Sequence, residues 1–558
     1  MSTRQPTAID RLADRFFADQ TAMSPIWLTT LGSTERQDEY DDLSPAGLDA
    51  YASLVTSTLA SLDALTPADG TDVVTLAAMR ERLGLDAELH AAHADLAQLN
   101  NLECGLLSLR EVYDLMPTST PEQWATIARR LRAIPDAADG WFASQLAGLE
   151  CGIAPARRQV EALAEECRQY AGPRGYFADL SQRATRDCPG LPASVGEALE
   201  AGIATAREAY LAAASRLETE LLPRATSQDA VGPERYQLAS RRFLGTRVDY
   251  AATYQWGLDE VARLEAAQET ICARLRPGLS VRDTKLALDA DPAYQLHGTD
   301  ALRTWMQGKA DEAIAALDGV HFDIRTPART IQCMIADTHE GGIWYTPPSD
   351  DFTRPGRMWW SVPDGETTFG TWRELTTVYH EGTPGHHLQC AAAILARDEL
   401  NTWRRNGIWV SGHGEGWALY AETLMAELGF LDDPAMLLGQ MDGEQMRAVR
   451  VVIDMGVHCG FTAPDEVGGG EWTYDKAWDY FNRHVNQSEG QARFEVMRYF
   501  GWAGQAPAYK IGHRAWLELR DAARTRDGAA FSLKDFHARA LALGSLGLDT
   551  LREAVLAS

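Results

Sequence analysis

The sequence predicts a mainly α protein with a small β-sheet placed just before a second run of helices. Three observations carry this reading. Residues 1 to about 315 repeat apolar positions at helical spacing. Residues 319–363 hold short runs rich in β-branched and aromatic side chains. From Thr376 the helical texture returns and continues to the end.

Taken in order, Thr71 to Asn100 is the clearest early helix. Val74, Leu76, Met79, Leu83, Leu85 and Leu89 recur there between polar residues. Arg158 to Tyr170 and Val195 to Leu222 have the same pattern, and Pro117, Pro135, Pro173, Pro189-Gly190 and Pro223 punctuate the region. Strands are expected at His321–Arg325, Thr330–Ile335, Ile343–Thr346 and Arg357–Val362, separated by turns at Gly341-Gly342 and Pro347-Pro348. Gly468-Gly469-Gly470 reads as a loop. The expected organisation is a helical lobe over 1–315 and a metal-site lobe over 316–558, joined as one continuous unit. The second lobe carries the sheet (319–363) and the catalytic helices (371–525).

The chain has 558 residues, 45% hydrophobic and 23% charged, an ordinary globular composition. Its 52 basic and 79 acidic residues give a net charge of −27. That surface argues against nucleic acid and anionic membranes as partners, because both need basic patches. The eight cysteines include no Cys-x-x-Cys pair and read as buried, reduced thiols. Residues 1–20 carry no apolar run of signal-peptide length, and no stretch approaches 18 apolar residues. A cytoplasmic location is expected.

The informative stretch is Tyr379-His380-Glu381-Gly382-Thr383-Pro384-Gly385-His386-His387-Leu388-Gln389, followed by Gly414-Glu415-Gly416-Trp417-Ala418-Leu419-Tyr420-Ala421-Glu422. Two neutral imidazoles and one carboxylate hold Zn²⁺ and leave a fourth position for water. A glutamate beside the first ligand then takes the proton from that water. The spacing departs from H-E-x-x-H, in which the two histidines lie about 6 Å apart on one helix face. Here the i+4 position is Pro384. In an unbroken helix His386 at i+6 would point roughly 240° away, and His387 at i+7 would lie about 10.5 Å along the axis. Proline removes a donor and clashes with the carbonyl four residues back, while glycine tolerates unusual backbone angles. The helix is therefore expected to break at Gly382-Thr383-Pro384-Gly385 and resume at His386. His380, His386 and Glu415 are the expected ligands of one Zn²⁺ per chain, with His387 as the fallback.

The run H-E-x-x-P-G-H-H-L-Q with E-G-W-A-L-Y-A-E resembles a large, mostly bacterial family known as domain of unknown function 885. Tyr345-Thr346-Pro347-Pro348-Ser349 leading to Arg354-Pro355-Gly356, Asp454-Met455-Gly456-Val457-His458, and the segment from Arg498-Tyr499 to Gly504 through Gly512 fit the same family. Where the family usually has Pro-Gly-Gln, this chain has Ala503-Gly504-Gln505. The family is similar in architecture to the thermostable carboxypeptidase Taq family, and more loosely to angiotensin-converting enzyme and thimet oligopeptidase. The resemblance implies a helix-rich, zinc-peptidase-like clamshell with a deep channel. In the carboxypeptidase Taq pattern the ligand glutamate is followed by another seven residues on, a spacing that Glu415 and Glu422 reproduce.

Roles follow from these patterns. Glu381 is the expected general base. Tyr509 and His458 are candidate donors to the tetrahedral oxyanion. Glu415 is read as opening its helix after a Gly412-His413-Gly414 loop, where a carboxylate suits the helix dipole. Glu422, and secondarily His387, are expected to support the ligands. Arg498 and Lys510 are candidates for a substrate carboxylate, with Tyr345, Arg354 and Gln505 as weaker substrate contacts. The function expected is a zinc metallopeptidase cleaving short peptides. The alternatives are a zinc amidohydrolase of a non-peptide substrate, and a non-catalytic peptide-binding protein with a degenerate metal site. No serine-hydrolase elbow, phosphate-binding loop or dinucleotide fingerprint competes.

Overall fold

The computed structural model describes residues 4–336 and 342–557. It is 69% helix and 4% strand, so the mainly α expectation holds. Gly341 of the expected Gly-Gly turn lies outside the described residues.

The chain divides into two units. One comprises Arg11–Thr66 and Arg82–Val231. Its long helix Pro121–Glu150 (α1) starts on a capping box, with Thr120 and Gln123 satisfying each other's backbone N–H groups. Trp124, Ile127, Leu131, Ile134 and Phe142 of α1 are buried against helix Ala193–Arg216 (α2), whose Leu199 and Tyr210 join the same core. Pro135 was expected to punctuate this region, but α1 runs through it. A proline inside a helix costs roughly 3 kcal/mol, and burial of large side chains on both sides of it outweighs that.

The other unit comprises Met1–Asp10, Pro67–Glu81 and Gly232–Ser558. Both units are discontinuous in sequence, the chain passing between them after Asp10, Thr66, Glu81 and Val231. Helix Tyr250–Leu275 (α3) packs on helix Pro434–Cys459: a Cβ on Gly257 would meet Val451 at 3.0 Å. The two N-terminal pieces join through charge. Arg4 pairs with Asp10 (2.6 Å), Asp69 (2.7 Å) and Asp72 (2.7 Å), and Asn401 donates to Asp10 (3.0 Å).

The strands in this unit are β1 (Gln295–His297), β2 (Ile331–Ile335), β3 (Ile343–Thr346), β4 (Gly356–Trp360) and β5 (Thr368–Gly370). β4 lies between a parallel β2 and an antiparallel β3, so β3 is an edge strand. β1 and β5 form a separate antiparallel pair that sequence reading did not anticipate. His321–Arg325, expected as a strand, is not one. Phe322 stacks on His537 (4.9 Å) and Ile324 is buried, so this run is apolar because it packs, not because it pairs.

Helix Thr299–Leu317 (α4) precedes the three-stranded sheet. After the sheet come Thr371–Glu381 (α5), His386–Leu395 (α6), Ser411–Glu427 (α7), Pro434–Cys459 (α8), Glu489–Gly501 (α9) and Ala508–Asp527 (α10). Glycines set the closest approaches. A Cβ on Gly416 of α7 would fall 2.4 Å from the carbonyl carbon of Gly512 on α10, and one on Gly512 would fall 2.0 Å from the oxygen of Gly412. No described helix is long and apolar enough to cross a membrane. All eight cysteines are free; five are buried as expected, Cys390 and Cys459 are half-buried and Cys151 is exposed.

This packing predicts opposite effects for two alanines. Gly512→Ala forces backbone apart and should lower stability in urea melts by about 1–3 kcal/mol. Gly308→Ala, in α4 with nothing within 4 Å of the new methyl, should raise it by about 0.4–1 kcal/mol.

Candidate metal centre

The centre is built on the break between α5 and α6. α5 ends at Glu381 and α6 begins at His386, as the sequence predicts. The peptide bond between Thr383 and Pro384 is cis. Gly382 N–H still donates to Val378 O (2.9 Å), and Gly385 N–H reaches Tyr379 O (3.0 Å). His387 N–H then bonds to Gly382 O (3.1 Å), which starts the next helix. A Cβ on Gly385 would stand 1.9 Å from the carbonyl oxygen of His380, so only glycine fits there. Trp417 of α7 donates its indole N–H to Pro384 O (2.9 Å) and Gly385 O (3.3 Å), satisfying carbonyls that the break frees.

This folding back brings His380, His386 and Glu415 together, with one ligand atom from each lying within 4.8 Å of the others. His380 Nε2 is 3.3 Å from Glu415 Oε2, and His386 Nε2 is 3.4 Å from the same oxygen. A tetrahedral ion with bonds of about 2.0–2.1 Å sets its ligand atoms about 3.3–3.4 Å apart. The donor set and these two edges fit Zn²⁺. The imidazole rings of His380 and His386 stand at 90° to each other, 4.9 Å between centroids.

Glu422 supplies the orientation. Its Oε1 lies 2.7 Å from His380 Nδ1, and its Oε2 accepts from the Thr376 hydroxyl one turn before His380. A carboxylate on Nδ1 fixes the tautomer that leaves Nε2 facing Glu415 as a candidate metal ligand. Burial alone would lower the His380 pKa, but Glu415 and Glu422 raise it to about 10. Burial alone would raise Glu415, yet the two histidines hold it well below the usual carboxylate range. Burial pushes the Glu381 carboxyl up, against the pull of His380 and His386. Glu415 stands in the second turn of α7, because Gly412-His413-Gly414 form the first turn and not a loop. Those glycines serve the contact with α10 and leave room beside Trp409.

His387 is not a ligand in this arrangement. Its Nε2 donates to Ala328 O (2.9 Å), which leaves Nδ1 to accept from the Tyr345 hydroxyl (2.9 Å). Burial lowers its pKa to about 4, so it stays neutral. Nδ1 thus holds β3 through Tyr345 while Nε2 holds the turn before β2, and the Tyr345 ring in turn lies against His386 (6.5 Å).

The remaining candidates separate. Tyr509, half-buried at the start of α10, lies under Arg450 (4.7 Å) and Arg498 (5.7 Å). Burial first, and then the Glu415 charge, raise its pKa, while the two arginines lower it. Arg498 is held by Gln505 (3.2 Å) and by Glu495 (3.3 Å). Arg450, which sequence reading missed, forms a two-pronged pair with Glu495 (2.9 and 3.0 Å), and its Nη1 has no partner among the described residues. Nothing local marks Arg450, because its partner is on another helix.

Two candidates move away from substrate. Lys510 is 2% exposed, bonded to Glu444 and 3.0 Å from Glu260; two carboxylates already neutralise it. His458 is 1% exposed, with Nε2 on Tyr499 O (2.8 Å) and its ring on Tyr236 (5.9 Å). That nitrogen is not free for an oxyanion, and burial lowers the His458 pKa to about 4. Arg354 braces its own loop through Pro347 O (3.0 Å).

The family model described as "Bacterial protein of unknown function (DUF885)" matches residues 25–555, and the chain belongs to that family. No curated protein matches it. Among solved structures, a "putative lipoprotein" from Colwellia psychrerythraea superimposes with a TM-score of 0.85 at 23% identity, covering 100% of this chain and 99% of the other. A "putative lipoprotein of unknown function" from Shewanella oneidensis gives 0.74 at 16% identity, covering 99% and 100%. These likenesses carry the fold.

Metal analysis tests the ligand set. About one zinc per chain is expected in the wild type and in His387→Ala, and its loss in His386→Ala. Glu422→Ala should weaken zinc affinity about 10- to 100-fold.

Proposed function

We propose that this protein is a zinc-dependent metallohydrolase that cleaves short peptides. The observation that carries this reading is the buried His380–His386–Glu415 cluster with Glu381 adjoining it in sequence and in charge. Zn²⁺ held there would polarise a carbonyl and acidify water.

The chain's own groups do the rest. Glu381 takes the proton from the attacking water and passes it to the leaving amine. The Tyr509 hydroxyl, kept protonated by burial, donates a hydrogen bond to the tetrahedral oxyanion. Arg498 and Arg450 share one carboxylate, Glu495, so this corner carries excess positive charge beside Tyr509. That charge suits a substrate carboxylate. β3, an edge strand held beside His386 through Tyr345, suits an extended backbone.

A non-peptide amide is the second reading, since a fold does not fix a substrate. The third, a peptide-binding protein with a degenerate centre, has less support: the break that would have destroyed the site brings the three ligand atoms together. The proposed location is cytoplasmic, supported by eight free cysteines. The lipoprotein description of the two similar structures supports a membrane-anchored location instead, and cell fractionation discriminates between them.

Cleavage of a mixed library of short peptides, read by mass spectrometry, tests the function. Glu381→Ala should keep its zinc and lose at least about 10²-fold in rate. Tyr509→Phe should lose about 10- to 1000-fold in kcat with little change in KM. Near-normal cleavage by Glu381→Ala would overturn the mechanism, and an uncut library with zinc-loaded protein would favour the non-peptide amide.

A further inference from the structure

Trp409 is a large apolar side chain left 50% exposed. It does not belong to a loose loop. Ile408 and Val410 on either side are 8% and 0% exposed, and Val410 N–H is anchored on the Ser545 hydroxyl (3.0 Å). The indole packs over the first turn of α7. A Cβ on Gly414 would come within 2.3 Å of the ring, so glycine there makes its seat. Gly414 directly precedes the ligand Glu415. The ring also meets the ligand His386, 5.8 Å between centroids at 57°. His386 is thus flanked by two aromatic rings, Tyr345 and Trp409, and its Nδ1 has no hydrogen-bond partner among the described residues.

A rigid, half-exposed indole touching one ligand and seated beside another is a wall of the reaction site. Its exposed half gains free energy only when something apolar covers it. We infer that Trp409 forms the substrate subsite beside the cleaved bond and takes an apolar or aromatic side chain. A lysine or arginine side chain would also suit an indole face. A divalent ion held by the same histidine would repel it, however, so uncharged groups are expected there. The inference rests on the hydrolase reading and adds a specificity to it.

The test compares wild type, Trp409→Ala and Trp409→Phe on short peptides that differ at one position: Gly, Ala, Leu, Phe, Glu or Lys. Zinc content and the calorimetric affinity for N-acetyl-phenylalanine amide are measured on the same preparations. In Trp409→Ala, kcat/KM should fall about 10- to 100-fold further on Leu and Phe peptides than on Gly and Ala peptides. Zinc should be unchanged, binding of the amide weaker, and the selectivity restored by Trp409→Phe. An equal loss on all peptides, or one that follows loss of zinc, would make the indole a mere support for His386 and overturn the subsite. A loss confined to Lys peptides would overturn its apolar character. If zinc-loaded wild type cuts no peptide, the peptidase reading fails. The subsite then stands only if the wild type binds the amide more tightly than Trp409→Ala does, and falls with it otherwise.

Discussion

The functional end of this molecule depends on a backbone constraint at Gly385. The chain must leave one helix at Glu381, turn, and enter the next at His386 within four residues. It does so by passing so close to its own preceding turn that a single added carbon would sit on the His380 carbonyl oxygen. Glycine removes that clash, proline disallows the continuous alternative, and Trp417 takes up the carbonyls left over. A regular helix would place His386 on the wrong face. The break places its Nε2 at the same carboxylate oxygen as that of His380.

Around this turn, buried charge is arranged in compensated groups. Glu415 faces both candidate ligand histidines, while Glu422 holds His380 from behind. Further along α8 and α10, Lys510 is closed off by Glu444 and Glu260. Among the described residues, Glu495 is the one carboxylate paired with Arg450 and Arg498. Two cations of similar sequence appearance therefore have different prospects: the lysine is neutralised, whereas the arginine pair retains charge beside Tyr509. An isolated buried charge is costly, so each group is understood only with its partners.

How much of this was legible varied with the range of the interaction. The helix break could be read because proline and glycine act on their own neighbours. Glu422 could be placed because seven residues is two helical turns. Lys510 and His458 could not: each is claimed by a residue far off in sequence, Glu260 or Tyr499. Arg450 and Trp409 escaped notice for the same reason, their partners being on other elements. The run at His321–Arg325 misled because apolar, β-branched composition serves a packed core as well as a strand. Gly412 and Gly414 read as loop residues, yet they lie in a helix whose neighbours come too close for side chains.

By itself the sequence determined the helical class, the interrupted metal helix, the three candidate ligands and the carboxylate behind one of them. All of these follow from short-range backbone sterics and helical periodicity. Tertiary structure alone decided that His387 is spent on Tyr345 and Ala328, and that segments 1–10 and 67–81 join residues 232–558 in one unit. It alone decided which cations stay uncompensated and which indole is left open beside His386. Those outcomes depend on which surfaces meet, and contacts between elements tens to hundreds of residues apart leave no periodic trace in the chain.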